Sequence, residues 1–439
     1  MAQKNNVGNP WTPEDERGHT DRTLEWWSVI GFFTSKEDQK QWSMKVVLSE
    51  GYTTPKHNGS LCSIALLDKQ TNRHYIYLLR HPDSQIQFRH DIFHVNHNES
   101  FLTGSYPSYT GHFRDPENDI NIDFTLHAES LPHWVAQEAT NGWLPMALGF
   151  FRYGFIPKNK LSGTIKIKDK ILTIEGFGYF EHIWGDFSYR NPFAQGKNQI
   201  KTISTYATLL RWWLRNRKFH IPATIKFSTE NNPLGYDWVW AILDNGWTIF
   251  YGNLLCWMME GPAAGILILS KDGKTYTEFN NIHFLYNKIQ NEKTFDFEYP
   301  TDLEISAINE KETLHLRFTM TTESREFISP FSKGKYWRAF VIRESPGIVS
   351  GYYRDNQEEI PLTGVCKIEP QRQVSIIGHN SLRIDLLKPP RGVGIFIEMD
   401  SHYLGKEMSA HLQLVPKPAL RFCCKRIGDT KEKMHNKTN

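Results

Sequence analysis

The sequence predicts an all-β protein of two antiparallel barrel or sandwich domains with a short helical insertion. Short segments in which apolar and polar residues alternate recur along the chain, with turn residues between them. These segments do not alternate with helices, as they would in a parallel α/β sheet. A length of 439 residues is enough for two or three domains.

The predicted strands follow a period of two from the first half of the chain to the last. In residues 120–127, isoleucine, phenylalanine and leucine alternate with polar residues, which indicates a half-buried strand. Residues 164–168 and 171–174 flank an Asp-Lys turn and are typical of a hairpin. Further strands are predicted at 303–307, 314–318, 382–386 and 411–415.

One segment, residues 200–219, has a helical pattern instead. Its apolar residues are at helical spacing, and cations and two tryptophans lie near its end: Ile203, Ala207, Leu210, Leu214, Arg211, Arg215, Arg217, Lys218, Trp212 and Trp213. Two interpretations stay open: a helix packed on a barrel with cations at its C-terminus, or a basic, aromatic patch that touches a membrane. A domain boundary is predicted next, which gives domains 1–230 and 231–424 and a polar tail 425–439.

Composition narrows the class of protein. The formal charge of +3 is too balanced to indicate a nucleic-acid partner. Five cysteines without metal-ligand spacing favour a reducing compartment. The polar start has no signal core, and no apolar stretch reaches the length of a membrane span, so we expect a cytoplasmic protein, with membrane association through 200–219 left open.

The sharpest local motif is Gly178-Tyr-Phe-Glu-His-Ile-Trp-Gly185. Alternation along a strand places Tyr179 and Glu181 on one face, and His182 and Trp184 on the other. A buried carboxyl in apolar surroundings has a raised pKa and stays a proton donor near neutral pH. From the spacing alone, a catalytic acid and a structural hydrogen bonder are both open interpretations.

This motif resembles the Gly-x-(Tyr/Trp)-x-Asp-His-x-Trp-Gly signature of the carotenoid 1,2-hydratase and AttH-type family. Four other segments resemble motifs of that family in the same order, from about residue 24 to 414: residues 25–32, 237–246, 361–369 and 402–410. The resemblance implies two lipocalin-like (calycin) antiparallel β-barrel domains. Members of this family include hydratases of carotenoids and of a prenylated flavonoid, and fungal relatives that act as Diels–Alder cyclases.

Carried over by position, the resemblance makes Glu181 and Tyr179 the catalytic acid site. The chain departs from the pattern in two places, with Glu181 where the family has Asp and Ser28 where it usually has Tyr. The longer acid keeps its chemistry but has a different reach. The substrate therefore does not follow from the resemblance.

Aromatic residues make up 13% of the chain, which fits either an aromatic core or a ring-lined ligand cavity. The candidate substrate-binding residues are Trp26, Trp27, Trp184, His182, Trp238 and Trp240. Trp26 and Trp27 are adjacent on a strand, so at most one of them lines a given cavity. No metal site is predicted, because His90, His94 and His97 lie in a predicted strand that separates them too widely to share an ion.

The first functional hypothesis is a cofactor-independent enzyme that acts on a hydrophobic polyene or isoprenoid-like molecule in an apolar pocket at the domain interface. Glu181 would protonate a carbon–carbon double bond, and hydration or cyclisation would follow. The alternative is a non-catalytic carrier of a hydrophobic ligand. A scaffold with filled barrels is the third possibility.

Overall fold

The computed structural model describes most of the chain, and the structural statements below concern those residues. They are 11–19, 22–51, 59–81, 84–89, 91–146, 149–187, 199–215, 234–256, 262–292, 297–322, 325–330, 339–355, 358–374, 378–387, 393–402, 407–415 and 419–425. Within them the chain is mainly antiparallel strand, arranged in three sheets. This confirms the predicted all-β class.

The first sheet is formed by the N-terminal part of the chain. Its strands are β1 (Leu24–Ser35), β2 (Gln41–Glu50), β3 (Ser60–Asp68), β4 (Arg73–His81), β5 (Ile86–Phe88), β6 (Phe93–His97), β7 (Ser100–Ser105), β8 (Ser108–Asp115), β9 (Ile120–Ala128), β10 (His133–Trp134), β11 (Trp143–Met146), β12 (Gly149–Ile167) and β13 (Lys170–Asp186). Their order is β4-β3-β2-β1-β13-β12-β9-β8-β7-β6-β5, and β10 and β11 pair with β12. The last strand therefore lies beside the first.

The second sheet repeats this arrangement. Its strands are β14 (Leu234–Leu243), β15 (Thr248–Cys256), β16 (Pro262–Ser270), β17 (Thr277–Phe279), β18 (Ile282–Glu292), β19 (Phe297–Ile308), β20 (Thr313–Met320), β21 (Arg325–Pro330), β22 (Ala339–Arg354) and β23 (Glu359–Val374). The order is β17-β16-β15-β14-β23-β22-β20-β19-β18, with β21 on β22, so the last strand again lies beside the first. Both sheets curl into half-barrels, as the predicted fold class requires.

A third, four-stranded sheet follows, which the sequence analysis did not separate from the second domain. Its strands are β24 (Gly378–Leu387), β25 (Val393–His402), β26 (Glu407–Val415) and β27 (Ala419–Lys425). The predicted domain boundary near residue 230 lies outside the described residues, as does the predicted tail 425–439 except for Lys425, which ends β27.

Helices are short and few in the described part of the chain. They are a 3₁₀ turn (Pro13–Asp15), α1 (Gln137–Thr140) and α2 (Gln199–Arg215). The predicted helix over 200–219 is confirmed as far as residue 215, and 216–219 lie outside the described residues. None of the described helices has the length and apolar character needed to cross a membrane.

Strand alternation divides the apolar side chains among three cores. Phe180 packs inside the first half-barrel, and Val239 packs inside the second. Their strand neighbours Tyr179 and Trp240 point the other way, into a third core between the two sheets. The third core is formed mainly by the outer faces of β1, β12 and β13 in the first sheet and of β14, β15 and β16 in the second. This is where the candidate site is found.

Candidate active site

The predicted signature occupies the end of β13, the strand enclosed between β1 and β12. Glu181 is paired with Ser28 on one side and with Phe155 on the other. The carboxyl is 7% exposed and faces a cavity between the two half-barrels. The acid therefore lies on the outer face of the first half-barrel rather than in its interior. Phe180, its strand neighbour, takes the interior position.

Four N–H and O–H groups converge on Glu181 and its partners. Tyr153 and Tyr179 both donate to Oε2, the latter at 3.1 Å, and Trp26 Nε1 donates to Oε1 at 3.2 Å. Trp238 Nε1 donates to the Tyr153 hydroxyl at 2.9 Å. Each carboxylate oxygen can accept about two hydrogen bonds. Oε2 is therefore saturated by the two phenols, and the open position for an acidic proton is on Oε1.

The electrostatics of Glu181 combine two opposing effects. Burial, the larger one, raises the pKa of Glu181 because an ionised carboxylate loses its hydration. The charge of Lys45 and the hydrogen bonds from Tyr153 and Trp26 act in the opposite direction, since they stabilise the anion. A carboxyl in these surroundings holds its proton more tightly than a free one. Once the proton has left, donors for the anion are already in place.

Tyr179 and Tyr153 differ in position. Tyr179 is fully buried behind Glu181 and does not line the cavity, whereas Tyr153 does. Burial raises the pKa of both phenols well above the ordinary value, so both act as neutral donors. Tyr153 was not predicted as a site residue, because it lies in an aromatic run of β12 together with Phe150, Phe151 and Phe155.

The cavity has a volume of about 460 Å³, within the range of small-molecule sites. Both half-barrels and α2 line it, and most of the lining side chains are apolar or aromatic. They include Trp26, Ile30, Val47, Leu144, Phe151, Ile183, Leu209, Trp212, Trp213, Trp238, Phe250 and Ile342. The contribution of α2 to a cavity was not predicted, because its two tryptophans were assigned either to a helix packed on a barrel or to a patch that touches a membrane.

One wall of the cavity is charged. Lys45 forms ion pairs with Glu369 and, at 3.1 Å, with Glu344, which also pairs with Lys367 at 3.0 Å. Tyr236 donates to Glu369 at 3.0 Å. Burial lowers the pKa of Lys45, but the neighbouring carboxylates outweigh it and the pKa is raised, so Lys45 is an ammonium. Lys45, Glu344 and Glu369 line the cavity and Lys367 does not. With Lys367 included, the two cations of this cluster balance its two carboxylates.

Of the six predicted substrate-binding residues, Trp26 and Trp238 line the cavity. Trp27, His182, Trp184 and Trp240 do not line it. The reason for the first three is strand alternation: they point to the face opposite Trp26 and Glu181, where Trp27 and Trp184 pack on His182. Trp240 is buried between the sheets, where it stacks on Phe32 and donates to the carbonyl of Pro157.

His182 belongs to a buried ionic cluster on that opposite face. Its ring nitrogens contact the Asp15 carbonyl at 2.7 Å and Glu25 Oε1 at 2.9 Å, and Glu25 also pairs with His19 and Arg22. Burial opposes ionisation of Glu25, but the hydrogen bonds from His182 and His19 outweigh it and lower its pKa. The ligand atoms of His19, Glu25 and His182 lie within 4.8 Å of one another. The Arg22 guanidinium already occupies the carboxylate, so we interpret the cluster as structural.

Comparison with known proteins identifies the fold. No protein-family profile matches the chain, and no curated protein matches it. A structure from Nitrosomonas europaea provisionally assigned as AttH aligns with a TM-score of 0.57 and 15% identity, over 84% of this chain and 98% of that one. The chain has the AttH-like lipocalin fold.

Two other solved structures share this fold. Kievitone hydratase from Nectria haematococca aligns with a TM-score of 0.55 and 11% identity, over 84% of this chain and 95% of that one. CghA aligns with a TM-score of 0.50 and 11% identity, over 84% of this chain and 94% of the CghA chain. At these identities the likeness establishes the fold, and the chemistry has to be argued from the site itself.

Proposed function

We propose that this protein is a cofactor-independent acid catalyst that protonates a carbon–carbon double bond of an uncharged, polyene or isoprenoid-like substrate. The observation that carries the proposal is the position of Glu181. It is a buried carboxyl with a raised pKa that lines an apolar cavity and is held by three hydrogen-bond donors. An acid tuned in this way suits general acid catalysis near neutral pH.

The proposed step transfers the proton from Glu181 to one alkene carbon, using the π electrons for the new C–H bond. A tertiary carbocation remains on the other carbon, and the Glu181 carboxylate is stabilised by Tyr153, Tyr179 and Trp26. Trp26 and Trp238 line the cavity, and an indole ring attracts a cation placed over its face. Water then adds to the cation, and the oxonium returns a proton to Glu181, which restores the acid and gives a tertiary alcohol.

Ring closure is the competing outcome, in which a second double bond attacks the cation and the product cation loses a proton to Glu181. The charged wall favours hydration. Lys45 and Glu369 line the same cavity as Glu181, and their charges shift the pKa of Glu181 in opposite directions. Such a wall provides hydrogen-bond partners for a water molecule in an otherwise apolar cavity.

The shared fold with kievitone hydratase supports a hydratase, because that protein is named for the addition of water. The dimensions and lining of the cavity support an apolar ligand whether the protein is an enzyme or a carrier. What distinguishes the two is whether solvent hydrogen becomes bonded to carbon in the ligand.

The test starts from the protein as it is purified from cells. The native protein is denatured, and apolar molecules that co-purify are identified by mass spectrometry. Each is then incubated with fresh protein in D₂O. The proposal predicts a product with one non-exchangeable deuterium on carbon, accompanied by an added water for hydration or by an unchanged formula for cyclisation. A ligand recovered unlabelled would identify a carrier and contradict the proposal, and the absence of any ligand or turnover would leave a scaffold.

A further inference from the structure

The outward-facing side of α2 is apolar. Ile200, Ile203, Leu210 and Leu214 are 82%, 67%, 55% and 40% exposed. Apart from Tyr206, which is also on α2, the other large exposed apolar residues are scattered over many strands and loops, as is normal for a protein surface. Four within one short helix form a continuous stripe.

Helical geometry separates this stripe from the side of α2 that packs on the protein. At about 100° per residue, the four exposed residues fall within an arc of roughly 80°. Thr202 and Thr205 are buried on the opposite side, with the cavity-lining Leu209, Trp212 and Trp213. The apolar spacing noted in the sequence therefore marks the exposed face of the helix, and threonines and tryptophans make the packed face.

Cations accompany the stripe. Arg211 and Arg215 are both exposed, and their positions on the helix place them directly beside it. Lys201 lies near the other end, with its ammonium 3.3 Å from the ring centre of Trp143, and so anchors the helix to β11. We call Ile200, Ile203, Leu210, Leu214, Arg211 and Arg215 the outer face of α2.

We propose that the outer face of α2 docks on the surface of an anionic lipid bilayer. An amphipathic helix with apolar residues in one arc and arginines along its margin is suited to lie in the plane of a membrane interface. The arginines complement lipid phosphates and anionic headgroups, whereas a second copy of the same face would bring like charges together. This complementarity favours a membrane over self-association.

The cavity reaches the protein surface beside the outer face of α2, so docking would bring it close to the bilayer. Leu210 is both exposed and part of the cavity lining, and so is Tyr206, which is 39% exposed. The cavity therefore approaches the surface next to the outer face of α2. A docked protein would present this opening to the bilayer, where an apolar ligand is dissolved. This inference holds for an enzyme and for a carrier, so it does not depend on the proposed chemistry.

Vesicle flotation tests the proposal with the full-length protein. Vesicles of phosphatidylcholine with phosphatidylglycerol are compared with phosphatidylcholine alone, at low and high salt. The wild type should float with the anionic vesicles and detach as salt rises. The double variant Ile200→Ser, Ile203→Ser should lower the partition coefficient by about tenfold or more, and Arg211→Glu with Arg215→Glu should remove the preference for anionic lipid.

The matched control is Ile171→Ser with Leu285→Ser, which removes two residues that are 61% and 58% exposed outside α2. This control should float like the wild type, and circular dichroism establishes that each variant is folded. The proposal is overturned if the wild type does not float, or if the control weakens binding as much as the α2 variants do. A dimer that dissociates in the Ile200→Ser, Ile203→Ser variant would instead show that a second copy covers the face.

Discussion

The phenol of Tyr153 donates a hydrogen bond to the carboxyl of Glu181 across the β12–β13 pair. Tyr153 in turn accepts a hydrogen bond from Trp238, which belongs to the second half-barrel. A chain of hydrogen bonds therefore connects the proposed acid to both sheets. The orientation of the acid is set by the assembly of the two half-barrels, and not by the signature strand alone.

This chain predicts that Tyr153→Phe is more damaging than Tyr179→Phe. Loss of the Tyr153 hydroxyl removes a donor to Glu181 and leaves the Trp238 N–H without its acceptor. Loss of the Tyr179 hydroxyl removes a donor to Glu181 and a hydrogen-bond partner of Tyr153, but leaves Trp238 paired. We expect roughly a 10- to 100-fold loss of kcat/KM for Tyr153→Phe, since a hydrogen bond to a charged group is worth ~1.5–3 kcal/mol. Steady-state kinetics on the identified substrate gives kcat/KM for both variants. Equal losses of kcat/KM in the two variants would argue against a role for the hydrogen bond between Trp238 and Tyr153.

The raised pKa of Glu181 predicts a pH-dependent stability that requires no substrate. The folded protein holds this proton more tightly than the unfolded chain, so the stability contribution is complete below the unfolded pKa of about 4.3 and is lost as pH rises through the folded pKa. Glu181→Gln does not titrate. Its melting temperature relative to the wild type should therefore rise between pH 4 and pH 8, as measured by circular dichroism. A difference that stays constant with pH would show that Glu181 has an ordinary pKa.

The charged wall predicts strong coupling between Lys45 and Glu369. Lys45→Met should lower the free energy of unfolding by ~3–5 kcal/mol, because it leaves the buried Glu369 carboxylate without its cation, whereas Glu344 keeps its pairing with Lys367. Lys45→Met with Glu369→Gln keeps the wall neutral and should recover part of that loss. Urea denaturation of Lys45→Met, of Glu369→Gln and of the double variant gives the coupling energy between the two residues. Additive losses would mean that the pair is not coupled.

The aromatic packing on the far side of β13 predicts a structural role for Trp184. The Trp184 side chain is 5% exposed. Its ring centre lies 4.1 Å from that of His19, on which it stacks, and 4.6 Å from that of His182. Trp184→Ala should therefore lower the free energy of unfolding by ~3–5 kcal/mol. Differential scanning calorimetry measures the change. An unchanged melting temperature would contradict the buried placement of this side chain.

The sequence was sufficient for the fold class and for the faces of the signature strand. Period-two alternation is a local property, so it correctly placed Tyr179 beside Glu181 and His182 opposite them. It could not reveal which side of the sheet was the barrel interior, because both faces of β13 are buried.

Residues brought to the site from distant strands could not be predicted in the same way. Lys45 and Glu369 come from β2 and β23, which do not pair with β13, and reach the site only through tertiary packing. Tyr153 lies on β12, which pairs directly with β13. A weak signal was present in the resembling segment 361–369, where Lys367 and Glu369 alternate with apolar residues on one strand. Two charges on the buried face of a central strand indicate either a functional wall or a paired cluster.

The most direct test of the central claim is turnover by the Glu181→Gln variant. Gln keeps the shape of the side chain but cannot supply an acidic proton. With the co-purified ligand as substrate, the variant should bind it with similar affinity and lose ~10²–10⁴-fold in kcat, the usual contribution of a positioned general acid. Glu175→Gln, on the same strand but exposed, should keep full turnover. Undiminished kcat in a folded Glu181→Gln variant would contradict the assignment of Glu181 as the acid.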